Sequence, residues 1–244
     1  MTVSITLATT RRILAQLRHD PRTVVMLILV PTLLMVLLRF VFNSAETFSR
    51  IAPALLGVFP FVIMFLIASI TTLRERTAGT LERLMTLPLG KFDLLAGYAL
   101  AFGQVAVLQV AVATAVSLWW LGLSVAGSVW SLLLITVLDA LLGMALGLFV
   151  SAFATSEFQA VQFMPLFVLP QTLLCGLFQP RDQMGWVLHW LSDVMPLSYA
   201  VEALTQVTHS SDWTTTLTRN ILVVLGCAVL ALGLGAATLR RRTP

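Results

Sequence analysis

Residues 74–93, which read RERTAGTLERLMTLPLGKFD, combine charged side chains with an apolar ridge at helical spacing. Gly79 precedes a short amphipathic stretch over 80–87, which Pro88 and Gly90 end. Leucine and methionine side chains fall on one face of this stretch, and acidic and basic side chains beside them can form ion pairs across a contact. The pattern predicts a short helix that docks on a partner protein.

Asp139 and Gln109 lie inside apolar runs, where polar side chains are costly and require a reason. We place them at similar depth in consecutive antiparallel helices, where a hydrogen bond between them would clasp the two helices together. The small-residue step from Gly143 to Gly147 would permit close packing of this pair. The alternative is that Asp139 is a cation or proton site, in which case an Asn at this position would abolish activity.

Catalytic and metal-binding patterns are absent from the sequence. The three histidines are far apart, and neither Cys175 nor Cys227 belongs to a CxxC pair. Gly90 and Lys91 are followed by Phe92, without the preceding glycine and strand of a phosphate-binding loop. No Ser–His or paired-Asp arrangement lies at one depth. We therefore expect no enzyme activity, no metal site and no ATP hydrolysis by this chain.

The elements that position these residues are membrane helices. Of the 244 residues, 58% are hydrophobic and 11% are charged, and the mean hydropathy is +0.94. In an ordinary soluble domain about a quarter of the residues are charged. Most apolar side chains of this chain must therefore face lipid or one another. Continuous apolar runs satisfy their backbone in lipid only as helices, and the sequence predicts an all-α integral membrane protein.

Six apolar runs reach the length needed to cross a bilayer at about 1.5 Å per residue. The predicted spans cover residues 24–42, 51–73, 94–121, 128–153, 161–178 and 220–239. Residues 1–22 are amphipathic and arginine-bearing, which predicts a helix on the membrane surface that His19-Asp20-Pro21 ends, with a solvated basic tail as the alternative. Residues 179–219 hold two apolar segments too short to cross, which indicates re-entrant helices. We interpret 1–244 as one transmembrane domain.

The distribution of basic residues predicts the orientation. Most of them flank the spans on the side of the N-terminus, whereas Arg50, Arg181 and Arg219 lie on the other side and Arg39 lies inside a span. By the positive-inside rule both termini are cytoplasmic. The tryptophans fall at or beyond the outer boundary, as in an aromatic belt. The net charge of +4 therefore reflects membrane anchoring, and we expect no nucleic-acid partner.

Two separated motifs resemble those of ABC-2 type transporter permeases. The E-R-x-x-G-T-x-E-x-L pattern at 75–84, followed by Pro88, is similar to the first cytoplasmic loop of that family. The patterns G-x-F-x-P at 176–180 and P-x-x-Y-x-x-E-A at 196–203 are similar to its segment after the fifth span. On a six-span scaffold, this order of motifs identifies the chain as a member of that family, in the drug-resistance exporter branch.

The resemblance implies that residues 74–93 form a coupling helix seated in a cleft of an ATP-hydrolysing subunit. The coupling residues that it implies are Glu75, Arg76, Gly79, Thr80, Leu81, Glu82, Arg83, Leu84 and Pro88. It also implies a separately encoded ATPase in two copies, which binds ATP and Mg²⁺, and a second permease chain, identical or homologous. Because the outer segments roof the space between protomers in the family, Tyr199 and Glu202 are implied as gate residues, with a structural interface role as the alternative.

The expected function is that of the membrane subunit of an ATP-driven exporter in the bacterial cell membrane, which moves a lipophilic small molecule such as a drug or antibiotic outward. Aromatic and methionine side chains of the second and fifth spans would line an adaptable apolar path, unless they face lipid. These residues are Phe61, Met64, Phe65, Phe163, Met164 and Phe167. The alternatives for the whole chain are export of a lipid or lipid-linked glycan, and a non-transporting membrane scaffold.

Overall fold

The computed structural model describes residues 3–79 and 90–238, which form helices joined by short connections. The helices are α1 (Val3–His19), α2 (Pro21–Phe42), α3 (Ala45–Thr77), α4 (Lys91–Trp119), α5 (Val129–Ser151), α6 (Glu157–Leu174), α7 (Trp186–Val194), α8 (Pro196–His209) and α9 (Thr215–Thr238). A 3-10 turn, Arg181–Gln183, precedes α7. The described residues contain no strand, which confirms the all-α prediction for this part of the chain.

Helices α3 and α5 form the centre of the bundle and are in direct backbone contact. A Cβ atom added at Gly143 would lie 2.3 Å from the carbonyl oxygen of Phe61, and one at Gly147 would lie 2.3 Å from that of Phe65. Because the paired positions rise together along both helices, the helices run parallel. The contact exists only because neither glycine has a side chain. The prediction that this glycine step packs against the third span, α4, is wrong, since both glycines face α3.

Five helices in the described part of the chain are long and apolar enough to cross a membrane, namely α2, α3, α4, α5 and α9. Helices α3 and α5 are mostly buried, whereas α2 and α9 expose apolar side chains along their length, as lipid-facing helices do. These five agree in position with five of the predicted spans, and α3 extends beyond its prediction at both ends. Helix α6, at the remaining predicted span, is not among them, because its glutamines and prolines lower its mean hydropathy.

Helix α1 packs against α4 through a face rich in threonine. Thr9, Thr10 and Ile13 are buried, whereas Leu7 is 55% exposed. The Thr10 hydroxyl donates to a carbonyl oxygen of its own helix at 2.9 Å and to that of Gly97 in α4 at 3.3 Å. Threonine hydroxyls that bond to their own helix present a small methyl-bearing surface, which packs well against protein. The sequence predicts α1 as a helix on the membrane surface, and the structure adds that one face of it packs against the bundle.

The break between α1 and α2 is confirmed at Asp20 and Pro21. The Asp20 carboxylate accepts hydrogen bonds from the Thr23 hydroxyl at 2.5 Å and from the Thr23 backbone N–H at 3.2 Å. Pro21 occupies the first helical turn, where the missing N–H has no partner to lose. The bonds from Thr23 hold the pKa of Asp20 below its usual value, so this cap is charged at neutral pH.

We name the two ends of the bundle after the feature that each one carries, a loop at one end and tryptophan side chains at the other. At the loop end, residues 80–89 connect α3 to α4. The opposite, tryptophan end carries exposed indole side chains at Trp119, Trp120, Trp130, Trp186, Trp190 and Trp213. Here α8 buries Leu197, Val201 and Leu204, while α7 is largely exposed. Two short helices thus occupy the segment 179–219, in the places where the sequence predicts segments too short to cross.

We expect Gly143→Ala to destabilise the protein, because its Cβ would meet backbone atoms of Phe61 that cannot move aside independently. Overpacking of this kind costs about 1–3 kcal/mol. The matched control is Gly226→Ala in α9, where nothing lies within 4 Å of the added atom. Thermal unfolding of the detergent-solubilised variants measures the difference. A Gly143→Ala protein that melts at the wild-type temperature would contradict the α3–α5 contact.

Candidate functional site

Glu75, in the last turn of α3, is a buried carboxylate that two other helices hold. Arg12 of α1 approaches it with both terminal nitrogens, Nη1 at 3.1 Å from Oε1 and Nη2 at 3.3 Å from Oε2. The hydroxyl of Tyr98 in α4 donates to Oε2. A two-pronged arginine–carboxylate pair fixes orientation as well as distance. Helices α1, α3 and α4 are therefore joined at one carboxylate.

Arg74 and Arg76, on either side of Glu75, connect the same turn to two further helices. Arg74 donates through Nε at 2.8 Å and through Nη2 at 3.0 Å to the carboxylate of Glu157, in the first turn of α6. Arg76 donates through Nη1 at 2.5 Å to the backbone carbonyl of Ser151, the last residue of α5. Three consecutive residues of α3 thus bond to α1, α4, α5 and α6.

The predicted coupling residues fall into two groups. Glu75 and Arg76 bond inside the protein, and Gly79 has a φ of +68°, the left-handed conformation that glycine adopts without strain. The other predicted coupling residues lie outside the described residues, and these are Thr80, Leu81, Glu82, Arg83, Leu84 and Pro88. Sequence reasoning missed Arg12 as the partner of Glu75. The spacing along α1 could have indicated this pair, because Arg12 lies three residues after Thr9 and therefore near the face that α1 buries.

Arg181 connects the elements of the tryptophan end. Its side chain is 14% exposed, and its nitrogens reach three acceptors. Nε donates to the hydroxyl of Ser192 at 2.9 Å, Nη1 donates to Glu202 at 2.5 Å, and Nη2 donates to Asp193. The guanidinium carbon lies 5.3 Å from the centroid of the Tyr199 ring, within cation–π range. Arg181 therefore ties the 3-10 turn to the end of α7 and to α8.

Both predicted gate residues, Tyr199 and Glu202, belong to this cluster around Arg181. The Tyr199 hydroxyl also donates to the carbonyl oxygen of Asp193 at 2.8 Å, which ties α8 back to α7. Sequence reasoning did not single out Arg181 in this role. Charge balance is the signal that could have found it, since Arg181 shares a mainly apolar segment with several acidic residues.

Five of the six predicted substrate-path residues pack within the apolar clusters of the protein. The three members from α3 are fully buried, and these are Phe61, Met64 and Phe65. Phe163 and Met164 of α6 pack against the apolar cluster that contains Phe61 and Phe65, whereas Met64 belongs to the neighbouring cluster. Phe167 is 39% exposed and meets Phe163 edge to face at 6.3 Å. A substrate would have to separate α3 from its neighbours to reach the α3 members.

The predicted hydrogen bond between Asp139 and Gln109 is not formed. Both side chains are completely buried, yet among the described residues no hydrogen-bond partner exists for either carboxylate oxygen of Asp139 or either polar atom of Gln109. Asp139 precedes Gly143 and Gly147 at intervals of four on one helical face, so it points toward α3 and not toward α4. Its Oδ2 lies 3.3 Å from where a Cβ at Gly57 would be.

Histidine, cysteine and acidic side chains do not assemble a metal centre within residues 3–79 and 90–238. Cys175 is buried, Cys227 is half-buried, and both thiols are free. What the arrangement offers instead is ion pairing that joins helices at both ends of the bundle. Between these ends lies the carboxyl group of Asp139, which has no hydrogen-bond partner among the described residues.

Comparison with known proteins assigns this arrangement to a family. The family model described as ABC-2 type transporter matches residues 4–208. The probable multidrug ABC transporter permease YbhS of Escherichia coli K12 is 26% identical over 206 residues, which are 84% of this chain and 55% of that protein. The linearmycin resistance permease protein LnrN of Bacillus subtilis 168 is 23% identical over 203 residues, which are 81% of this chain and 51% of that protein. The chain thus spans about half the length of these relatives.

The family match runs from α1 into α8 and includes both the turn around Glu75 and the cluster around Arg181. It covers most of the chain, and the apolar helices agree with the membrane location of the relatives that are named permeases. The chain belongs to the ABC-2 type transporter family and is a multi-pass membrane protein.

Proposed function

We propose that this chain is the membrane-spanning subunit of an ATP-driven exporter that moves a lipophilic small molecule, such as a drug or antibiotic, out of a bacterial cell. Two copies of a separately encoded ATPase bind ATP and Mg²⁺, and a second permease chain, identical or homologous, completes the transporter. The family match supports the type of subunit. The names of the relatives, a multidrug permease and a linearmycin resistance permease, support the substrate class.

In this proposal α6 also crosses the bilayer, which gives six spans, and the loop end faces the cytoplasm together with both termini. Helix α6 supports this because apolar side chains such as Phe158, Leu166 and Leu173 are exposed from its first turn to its last. The exposed tryptophans support an outer interface at the opposite end. Helices α7 and α8 are then the re-entrant segment between the fifth and sixth spans.

The observation that carries the proposal is the set of bonds at the last turn of α3. Residues 80–89, which hold most of the predicted docking segment, follow that turn almost directly. Arg74, Glu75 and Arg76 connect it to α1, α4, α5 and α6. A displacement of residues 80–89, when the ATPases close on ATP, therefore moves these helices as a unit.

Helix α3 is the element that carries this displacement to the tryptophan end. It is 33 residues long, or about 50 Å at 1.5 Å per residue, and it is held to α5 at two glycines. It meets α8 at Gly57, where an added Cβ would lie 3.0 Å from Leu204. Movement of α3 thus reaches α8, which carries the gate residues Tyr199 and Glu202.

The first experiment is affinity purification of the tagged chain from its native membranes in mild detergent, followed by mass spectrometry with stoichiometry. We expect one P-loop ATPase per permease chain, because the chain has no phosphate-binding loop and its family match is to a transporter. The same preparation shows whether a second permease is present. Folded chain recovered without an ATPase, even after crosslinking at Glu82, would favour a non-transporting scaffold.

Reversing one charge of the Arg12–Glu75 pair is expected to lower the ratio of dye efflux to ATP hydrolysis, since the turn next to the coupling segment loses its tie to α1. The Arg12 side chain is 27% exposed, so breaking this pair costs less than the ~3–5 kcal/mol of a fully buried one. Arg12→Glu and Glu75→Arg are compared with the double exchange, which restores opposite charges. The double variant is expected to recover part of the ratio.

The matched control for this exchange is Arg11→Glu, which makes the same charge change at the neighbouring, exposed position of α1. Efflux of a lipophilic dye and ATP hydrolysis are measured together in proteoliposomes, after size-exclusion chromatography has shown that each variant is folded. A double variant no better coupled than either single variant would refute the role of this pair in coupling.

Arg181→Gln is expected to loosen α7 and the start of α8, because Asp193 and Glu202 then lose their shared cation. Loss of a charged hydrogen-bond partner costs about 1.5–3 kcal/mol per bond. Hydrogen–deuterium exchange over residues 181–202 measures the effect and should be faster in the variant. Arg50→Gln, an exposed arginine at the same end, is the control. Equal exchange in both variants would mean that Arg181 does not hold the segment.

A further inference from the structure

Asp139 is an acidic side chain inside a membrane helix, and no described residue donates a hydrogen bond to it or forms an ion pair with it. It is completely buried, and neither carboxylate oxygen has a hydrogen-bond partner in the described ranges. By contrast, Glu75, Glu157 and Glu202 each accept hydrogen bonds from an arginine. An ionisable side chain kept in such a place despite its cost indicates a function.

The carboxyl group of Asp139 occupies a space that Gly57 leaves open and that α8 covers. A Cβ atom at Gly57 would lie 3.3 Å from Oδ2 of Asp139, 3.0 Å from Cδ1 of Leu204 and 3.5 Å from Cγ2 of Val201. Asp139 falls near the midpoint of α5, Val129–Ser151. Helix α8 therefore separates a mid-membrane carboxyl group from the tryptophan end.

Toward the loop end, the face of α3 that begins at Gly57 continues with aromatic side chains. Phe61 follows Gly57 by one turn of α3 and Phe65 by two turns, and α6 adds Phe163 and Met164 to the same cluster. Aromatic faces attract cations, and methionine adapts to ligands of different shape. A molecule that combines a positive charge with apolar substituents would find a partner for each part here.

The chemistry around Asp139 favours an organic cation over a metal ion. Hard metal cations require several oxygen ligands, whereas no group of three or more His, Cys, Asp or Glu side chains in the described residues could hold a metal ion, and the space at Gly57 is bounded by the apolar side chains of Val201 and Leu204. An ion pair strengthens as water is excluded, and a carboxylate without a donor is costly in an apolar site. A charged ligand removes that cost, and a neutral ligand does not.

We propose that Asp139 binds the positive charge of a lipophilic organic cation, and that such cations are the substrate class of the exporter. Helix α8 lifts away from Gly57 to let the cation leave toward the tryptophan end. The inference rests on the proposed function, which it narrows from lipophilic molecules in general to those that carry a permanent or protonated positive charge.

The test uses the permease purified with its ATPase and reconstituted in proteoliposomes, with two probes of opposite character. Tetraphenylphosphonium is permanently charged and Nile red is neutral. Asp139→Asn preserves the shape of the side chain and is expected to weaken the apparent affinity for tetraphenylphosphonium by at least about tenfold, with Nile red transport retained. The matched control, Glu46→Gln, removes the same charge from an exposed position of α3 and should transport both probes as the wild type does.

The outcomes separate the inference from the proposed function. Unchanged tetraphenylphosphonium transport by Asp139→Asn overturns the inference, and so does an equal loss of both probes, which would indicate a structural role. ATP-driven transport of Nile red alone by the wild type overturns the inference and leaves the proposed function standing. Absence of a copurifying ATPase, with no ATP-driven transport of either probe, overturns both.

If Asp139→Asn does not fold, the wild-type protein supplies a second measurement. Dicyclohexylcarbodiimide is a lipophilic reagent that modifies carboxyl groups in apolar surroundings, and mass spectrometry locates the adduct. Tetraphenylphosphonium is expected to protect Asp139 from this reagent, and Nile red is not. Modification that is equally fast with both probes, or that never occurs at Asp139, overturns the proposal, because a site open to the larger cation would admit the reagent.

Discussion

The backbone contact between α3 and α5 is the constraint on which the rest of the described structure depends. Once Gly143 and Gly147 lie against α3, the two helices have a single register, in which Gly57 faces Asp139. Helices in lipid gain nothing from burying apolar surface against one another, so dispersion and shape must hold them together, and glycine provides the shape. The register then fixes what each residue of α3 can reach, from α8 near one end to Arg76 and the end of α5 at the other.

Arginine is the connector at both ends of the bundle, for the same physical reason. Its planar fork can donate to several acceptors in fixed directions, including carbonyl oxygens at helix ends. Arg76 uses it on the last carbonyl of α5, and Arg39 donates to the carbonyl of Leu121, just after α4, at 3.1 Å. Arg181 gathers two carboxylates and a hydroxyl in the same way. A lysine ammonium carries its three donors on a single nitrogen and lacks this planar fork.

The sequence predicts depth in the membrane better than it predicts which neighbour a residue faces. Hydropathy placed the first span at 24–42, and α2 runs from Pro21 to Phe42. Hydropathy says nothing about the rotation of a helix about its axis, however. Depth alone therefore predicts a hydrogen bond between Asp139 and Gln109, whereas in the structure Asp139 faces α3. The family resemblance assigns Glu75 to a partner protein, whereas the structure pairs it with Arg12 and Tyr98. A charged residue near a helix end gives no sign in the sequence that another helix covers it.

The docking of α1 has a consequence for the order in which the chain acquires its structure during synthesis. Thr10 meets Gly97, 87 residues further along the chain, and Arg12 meets Glu75, 63 residues further along. When α1 leaves the ribosome, neither partner has been made, so this basic, amphipathic helix cannot yet form either contact. Such a helix binds the headgroups of a bilayer. The features that predict a surface helix thus belong to a helix whose contact with the bundle can form only after α4 has been synthesised.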